Sequence, residues 1–170
     1  MSRYRRLRVP GGCYFFTLVT SNRAPIFRGA AEVGALRAAL RRTMHARPFR
    51  IHAMVVLPDH LHCIWQLPPG DADFSGRWRA IKKSVSRQLL HPRQTPATLW
   101  QPRFWEHLLR DEDDWRRHLD YIHYNPVKHG LAASPWAWPW SSFRRCVARG
   151  WYEPDWGASE PDAIAGMSLE

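Results

Sequence analysis

Two histidines separated by a single residue, His60 and His62, are the side chains in this sequence best suited to bind a metal ion. The apolar and β-branched residues around them predict a strand over residues 60–67. Residues i and i+2 of a strand point to the same face, so the two imidazoles converge while Leu61 points the other way. Two imidazoles form part of a site for a divalent cation. A pair of half-buried histidines at a strand start is the alternative, because a metal site needs a full ligand set.

A tyrosine on a helix is the second candidate. The helix is predicted to begin after Asp111, an N-cap residue type, and to end near residue 124 because of Pro126. Tyr121 and Asn125 are four residues apart and share a face with Arg117, opposite an apolar stripe of Trp115, Leu119 and Ile122. We therefore expect the Tyr121 hydroxyl on the non-core side, beside groups that could bind a phosphate or a cation. A tyrosine that packs its ring and exposes only its hydroxyl is the alternative, since periodicity alone does not make a nucleophile.

Strands and helices alternate along the parts of the chain that must position these groups. Strands are predicted over residues 14–20, 51–57 and 60–67, and helices over residues 30–46 and 74–90, with a short element over residues 141–147. Pro58 and Asp59 alone connect the second and third strands, which is too short for a parallel crossover. The fold class expected is α+β, an antiparallel sheet with helices packed on it. We expect one domain over residues 1–150 and an acidic tail over residues 151–170.

The charge of the chain favours a polyanionic partner. The formal net charge is +10, and residues 151–170 contain five acids and no Lys or Arg, which leaves +15 on residues 1–150. An N-terminal basic arm precedes the first strand, and the helix over residues 74–90 carries a basic surface beside an apolar stripe. A solvated helix face is the alternative, but charges of one sign repel unless a polyanion lies alongside. The expected DNA contacts are Arg3, Arg5, Arg6, Arg8, Arg77, Arg79, Lys82, Lys83 and Arg87.

Several other classes of protein are disfavoured. Three cysteines far apart in the sequence leave an odd one, so no disulfide framework is implied. The apolar run after the N-terminal arm is short and lacks a cleavage signal, and no run reaches the ~18 residues of a membrane span. We therefore expect a cytoplasmic protein without a membrane partner.

The acidic tail allows two interpretations. It is either a solvated end or a segment that folds back over the basic surface and competes with DNA. In the second case Trp151, Tyr152 and Trp156 would anchor it, and its carboxylates would imitate phosphates.

Several motifs together resemble one family. They are residues 5–17, His-Ala-Met-Val-Val-Leu-Pro-Asp-His-Leu-His at residues 52–62, Arg-Phe-Trp-Glu-His at 103–107, Tyr-Ile-His-Tyr-Asn-Pro-Val-Lys-His-Gly at 121–130, and Trp-Ser-Ser-Phe at 140–143. Over residues 3–157 the chain resembles the REP-associated tyrosine transposases, of the single-tyrosine branch of the His-hydrophobic-His endonucleases. The resemblance implies a ferredoxin-like palm.

The resemblance also implies roles for individual residues. His60 and His62 match the paired metal ligands, and Tyr121 matches the nucleophile. Asn125 matches a third ligand position, where relatives often have Gln, and His123 is a competitor for that role. Lys128, from the same motif, joins the expected DNA contacts.

The implied activity is cleavage and rejoining of single-stranded hairpin DNA, the repetitive extragenic palindromes, through a 5′-phosphotyrosine. The implied cofactor is Mg²⁺ or Mn²⁺, and the implied location is the nucleoid. A non-catalytic hairpin-binding or repressor-like protein is the main alternative, and a metal-dependent hydrolase that uses water is a second. A monomer and a homodimer are both compatible with the sequence.

Overall fold

The structure is a computed structural model that describes residues 6–90 and 99–169. Four strands and four α-helices make up its framework: β1 (Cys13–Val19), α1 (Ala30–Ala46), β2 (Arg50–Val56), β3 (His60–Gln66), α2 (Phe74–Leu89), β4 (Trp105–Leu108), α3 (Glu112–Lys128) and α4 (Phe143–Ala148). Short 3-10 turns occupy Ser21–Arg23, Pro135–Ala137 and Asp162–Ile164. No helix in the described ranges is long and apolar enough to cross a membrane.

The strands form one sheet in the order β2-β3-β1-β4, and all three neighbouring pairs are antiparallel. With α1 between β1 and β2, and α2 between β3 and β4, this is the βαββαβ arrangement of a ferredoxin-like fold. The predicted α+β class is confirmed.

The sheet separates two hydrophobic cores because its side chains alternate between faces. Phe16 and Leu18 of β1 pack with α1 and α2 in the first core. Phe15 of β1 and Ile64 of β3 pack with α3 and α4 in the second. His60 and His62 share the face of Ile64, so they point towards α3.

Two elements differ from the sequence prediction. The four-residue strand β4 was not predicted, because Trp-Glu-His-Leu does not alternate between apolar and polar residues. Helix α3 continues through Pro126 to Lys128 instead of ending near residue 124. Pro126 is close to the end of the helix, so only one helical hydrogen bond is lost there. The next turn is retained by the bond from the His129 amide to the Asn125 carbonyl, 3.1 Å.

Residues 151–169 lie along α3. The Tyr152 hydroxyl donates to the Asp120 carboxylate at 2.5 Å, and Tyr152 and Ile164 are buried in the second core. Further along, Arg117 donates to the Ala163 carbonyl at 3.2 Å, and Lys128 donates to the Met167 carbonyl at 2.8 Å. This segment therefore covers the helix that carries Tyr121.

Candidate active site

His60 and His62 form the sheet side of the site. Both are buried, and their ring centroids are 5.0 Å apart. Leu61 between them lies in the first core, on the opposite face of the sheet. The two-residue period of β3 therefore directs both imidazoles towards α3.

Hydrogen bonds fix how each imidazole is oriented. The Nδ1 atom of His60 lies 2.6 Å from a carboxylate oxygen of Asp59 and donates to it. The Nδ1 atom of His62 lies 2.8 Å from Thr17 Oγ1, whose single proton is donated to the Leu169 carbonyl at 2.7 Å. Thr17 must therefore accept from His62, which places the His62 proton on Nδ1 and the lone pair on Nε2. A carboxylate or hydroxyl behind a ligand histidine is the usual support of a metal site.

Tyr121 faces these histidines from α3, and its ring centroid is 5.3 Å from that of His62. Lys128 Nζ donates to its hydroxyl at 3.2 Å, and the Leu169 amide donates at 3.1 Å. The expectation that Tyr121 lies on a non-core face is wrong, because the side chain is 1% exposed within the second core. The C-terminal segment and the sheet enclose α3 from both sides.

Asn125 lies one helical turn beyond Tyr121 and is fully buried. Neither its amide nitrogen nor its amide oxygen has a hydrogen-bond partner within residues 6–90 and 99–169, and the same is true of His62 Nε2. Unsatisfied buried polar atoms are costly, so these atoms are suited to a ligand from beyond the residues that the structure describes. Imidazole nitrogen and amide oxygen are both donors to divalent cations. The residues present thus fit a divalent metal.

His129 is a site residue that the sequence analysis did not single out. Its ring centroid lies 5.0 Å from that of His60, at the C-cap of α3. The spacing of the sequence could have indicated His129, because positions 121, 125 and 129 recur every four residues and so follow one face of a helix. His123, the competitor for the ligand role, instead bonds Ser142 Oγ at 2.9 Å on the other side of the helix.

The electrostatics keep His62 neutral. Burial is the largest effect, and the charges of His60, His129, Lys128 and Arg23 act in the same direction, so the pKa of His62 lies well below its ordinary value. A neutral imidazole retains the lone pair that a metal needs. The positive charge of Lys128, whose Nζ lies 3.2 Å from the Tyr121 hydroxyl, favours a phosphate beside Tyr121.

The sequence comparison identifies the family. The sequence model described as "Transposase IS200 like" matches residues 9–109. A REP-associated tyrosine transposase of Escherichia coli (strain K12) is 48% identical over 99% of both chains. The chain belongs to the IS200-like transposase family.

Two further similar proteins agree with the assignment of this chain to the transposase family. A putative REP-associated tyrosine transposase of Haemophilus influenzae is 39% identical over 98% of this chain and 99% of its own. A solved structure of the REP-associated tyrosine transposase bound to a REP hairpin is 45% identical, with a TM-score of 0.86 over 100% of this chain and 99% of the other.

The basic residues of the transposase are divided between the two faces of the sheet. Arg79, Lys82 and Lys83 of α2 line a cavity of about 640 Å³ with Arg6 and Arg8 of the arm, and Trp100 and Phe104 add aromatic walls. Arg87 is exposed further along α2. Lys128 lies on the other face, beside Tyr121. Arg3 and Arg5 lie outside the described residues.

Arg77 does not belong to this basic surface. It is 1% exposed, and its guanidinium donates to the carbonyls of Arg47, Pro48 and Asp73 and to the Asp71 carboxylate. These bonds tie α2 to the end of α1 and to the loop before α2. Its placement does not fit the expected DNA contact, because the charge faces the protein.

A second group of side chains that could bind a metal lies beside the candidate active site. His107 of β4 and Asp114 and His118 of α3 offer ligand atoms that all lie within 4.8 Å of one another. This group of side chains is compatible with a bound divalent cation, and so is membership of the transposase family.

Proposed function

We propose that this transposase is a metal-dependent endonuclease and strand transferase, which cuts and rejoins single-stranded hairpin DNA through a 5′-phosphotyrosine at Tyr121. The proposal rests on the close approach of three side chains, those of Tyr121, His62 and Lys128. The Tyr121 ring lies 5.3 Å from His62, and its hydroxyl lies 3.2 Å from Lys128 Nζ. A nucleophile, a cation and an imidazole with an open Nε2 are the groups that phosphodiester cleavage requires.

His60, His62 and Asn125 would hold the metal, Mg²⁺ or Mn²⁺. When bound, the ion supplies Lewis-acid stabilisation of the negative charge that develops on the scissile phosphate. Asp59 and Thr17 hold the two imidazoles in the tautomer that leaves Nε2 as the ligand. Lys128 places a positive charge next to the attacking oxygen and the phosphate.

The residues of the chain account for the covalent step. The Tyr121 oxygen forms a bond to phosphorus, and the bond from phosphorus to the 3′ oxygen breaks. The phenolic proton is lost to water and the released 3′ oxygen takes up a proton, so no net proton is consumed. The energy of the phosphodiester is conserved in the phosphotyrosine, and a 3′ hydroxyl can therefore attack it to join new ends without ATP.

The DNA partner is proposed from the relatives and the charge distribution. The similar solved structure holds a REP hairpin, and the α2 cavity offers arginines, lysines and aromatic rings suited to phosphates and unpaired bases. With a substrate of this kind, we expect the protein to act at the nucleoid.

A covalent-adduct assay tests the proposal. A hairpin oligonucleotide labelled at its 3′ end is incubated with Mn²⁺, and the protein is separated on a denaturing gel. We expect a labelled protein band that is lost in Tyr121→Phe and retained in Tyr124→Phe, a change on the same helix. A band that survives in Tyr121→Phe would refute the assignment, and cleavage without any band would indicate a hydrolase that uses water.

The metal ligands are tested in the same assay. His60→Gln and His62→Gln are expected to abolish the adduct and to leave hairpin affinity unchanged, whereas His52→Gln, a histidine of the neighbouring strand, should have no effect. Adduct formation at the wild-type rate in His62→Gln would exclude the proposed site.

One observation favours a second candidate, a hairpin-binding protein without activity. Tyr121 is 1% exposed and its hydroxyl accepts from the Leu169 amide, so the described conformation offers no room for a phosphate. If the full chain and a chain that ends at Ala165 both bind the hairpin but form no adduct, this second candidate is correct.

A further inference from the structure

The edge strand β4 and the first turns of α3 bring together three metal-ligand side chains outside the active site. His107 Nε2 lies 2.8 Å from one carboxylate oxygen of Asp114, and His118 Nδ1 lies 3.1 Å from the other. The ligand atoms of the three residues all lie within 4.8 Å of one another. No other group of three His, Cys, Asp or Glu within residues 6–90 and 99–169 meets this geometry.

Local structure explains why the three residues meet. Asp114 and His118 are four residues apart on α3 and therefore share a face. The N-cap Asp111, whose carboxylate accepts from the Asp114 amide at 2.8 Å, starts the helix directly after β4. The chain thus turns back sharply, and His107 faces the first turns of the helix, where its ring stacks on that of His118 at 4.7 Å.

We propose that His107, Asp114 and His118 form an accessory Zn²⁺ site that links β4 to α3. Two imidazole nitrogens and one carboxylate oxygen, with a water as the fourth ligand, are a common zinc ligand set. Zinc bond lengths of 2.0–2.2 Å place tetrahedral ligands about 3.4 Å apart. The ligand atoms here lie within 4.8 Å of one another and the two rings are inclined by only 16°, so one imidazole has to turn for both nitrogens to reach the ion. Zn²⁺ also binds nitrogen ligands more tightly than Mn²⁺ does.

The protonation states of His118 and Asp114 suit a metal. Burial lowers the pKa of His118, which keeps its imidazole neutral. Burial alone would raise the pKa of Asp114, but the hydrogen bonds from His107 and from the Arg110 amide hold it below its ordinary value. His118 Nδ1 also donates to the Asp114 carbonyl at 2.8 Å, and this bond has to break when Nδ1 binds the ion.

The accessory site is separate from the active site. The ring of Phe15 lies between the two, with its centroid 4.8 Å from that of His118 and 5.4 Å from that of His62. His118 also precedes Tyr121 by three residues on α3. An ion at this site would hold the helix that carries Tyr121 against the edge of the sheet without taking part in the chemistry.

The site is tested by Zn²⁺ binding to metal-free protein in the His60→Gln/His62→Gln background, which removes both imidazole ligands proposed for the active site. We expect one equivalent of Zn²⁺ with micromolar or tighter affinity, and Zn²⁺ should raise the melting temperature because the assembled site binds it more tightly than the unfolded chain does. His107→Gln and Asp114→Asn should each weaken binding at least 30-fold and cancel the thermal shift. Asp113→Asn, which removes an exposed carboxylate of the same helical turn, should change neither.

A second measurement examines the ligand geometry. Co²⁺ added in place of Zn²⁺ should give the intense visible absorption of a four-coordinate site, and His107→Gln should abolish it. Binding that is weaker than millimolar, or that is unchanged in both His107→Gln and Asp114→Asn, would overturn the proposal. The three residues would then be a hydrogen-bonded cluster alone.

Discussion

Thr17 and His62 lie opposite each other on β1 and β3, and their side chains share a hydrogen bond of 2.8 Å. The same threonine donates to the Leu169 carbonyl. One hydroxyl therefore both orients an active-site imidazole and holds the C-terminal segment.

Removal of this hydroxyl should weaken the metal site. In Thr17→Val the His62 Nδ1–H loses its acceptor, so the imidazole is no longer held in the ligand tautomer. We expect the Mn²⁺ concentration for half-maximal cleavage to rise 10- to 100-fold, which is typical when the support of a metal ligand is lost, with hairpin affinity unchanged. The comparison is made in the full chain, because Thr17 is obliged to accept from His62 only while its own proton is donated to the Leu169 carbonyl. Thr17→Ser should restore the wild-type value, and equal Mn²⁺ dependence in Thr17→Val would show that the bond is irrelevant.

The α2 cavity should supply part of the electrostatic binding energy. The double variant Arg79→Gln/Lys83→Gln is expected to weaken hairpin binding and to reduce the slope of log K against log salt by about 1.5, since each lost phosphate contact removes 0.7 to 0.9. Arg28→Gln/Arg50→Gln removes two exposed arginines away from the cavity and serves as the control. Equal slopes for the two double variants would place the DNA elsewhere.

Arg77 should matter for stability and not for DNA. Arg77→Gln removes a buried guanidinium with four protein acceptors, so we expect the free energy of unfolding to fall by roughly 3 kcal/mol. Hairpin affinity of the folded fraction should be unchanged. Arg79→Gln, two residues away and exposed, should leave the free energy of unfolding in denaturant unchanged and should weaken hairpin binding. A stable Arg77→Gln with weakened binding would return Arg77 to the DNA surface.

The C-terminal segment should restrain cleavage. A chain that ends at Ala165 loses the Leu169 contacts to Tyr121 and Thr17 but keeps Tyr152 and Ile164 in the core, so we expect faster adduct formation. The rate increase should depend little on salt. The acids at positions 153, 155, 160 and 162 are all exposed, and the ion pairs within the described ranges do not include them. A rate increase confined to low salt would instead support the tail as a mimic of phosphates.

The buried His123 should make the fold less stable at acidic pH, because its imidazole must stay neutral in the native state. Burial lowers the pKa of His123 from 6.5 to about 3. Between these values the unfolded chain binds the proton and the native chain does not, so stability is complete above pH 7 and falls as the pH decreases. At pH 4 this histidine should account for about 3 kcal/mol of the loss. His123→Asn should flatten the dependence of unfolding on pH, while His45→Asn, an exposed change, should not.

Local periodicity predicted the parts of the site that lie on single elements. The alternation of β3 placed His60 and His62 on one face, and the four-residue spacing of α3 placed Tyr121 and Asn125 on another. The predicted limits of α1 agree with the structure at both ends, and those of the other long elements agree within a residue, except where α3 passes Pro126.

Contacts between distant parts of the chain could not be predicted in this way. Thr17 reaches His62 only through the pairing of β1 with β3, and Tyr121 is buried by a segment 48 residues further along. The pattern of basic residues on α2 did not show which of them faces inward. The Arg77 guanidinium is buried because it donates to the carbonyls of Arg47 and Pro48, after the end of α1. These outcomes depend on tertiary packing, which a one-dimensional pattern does not contain.

The two-sided sheet sets a length requirement for the nucleic acid. The α2 cavity lies with the first core, whereas Tyr121 and Lys128 lie with the second. A strand anchored in the cavity can reach Tyr121, the proposed nucleophile, only by passing around an edge of the sheet, and β4 is the edge next to the arm, where Glu106 pairs with Arg6. The thickness of the protein would then act as a ruler, so the number of unpaired nucleotides between the foot of the hairpin and the cleavage point would be fixed by the fold.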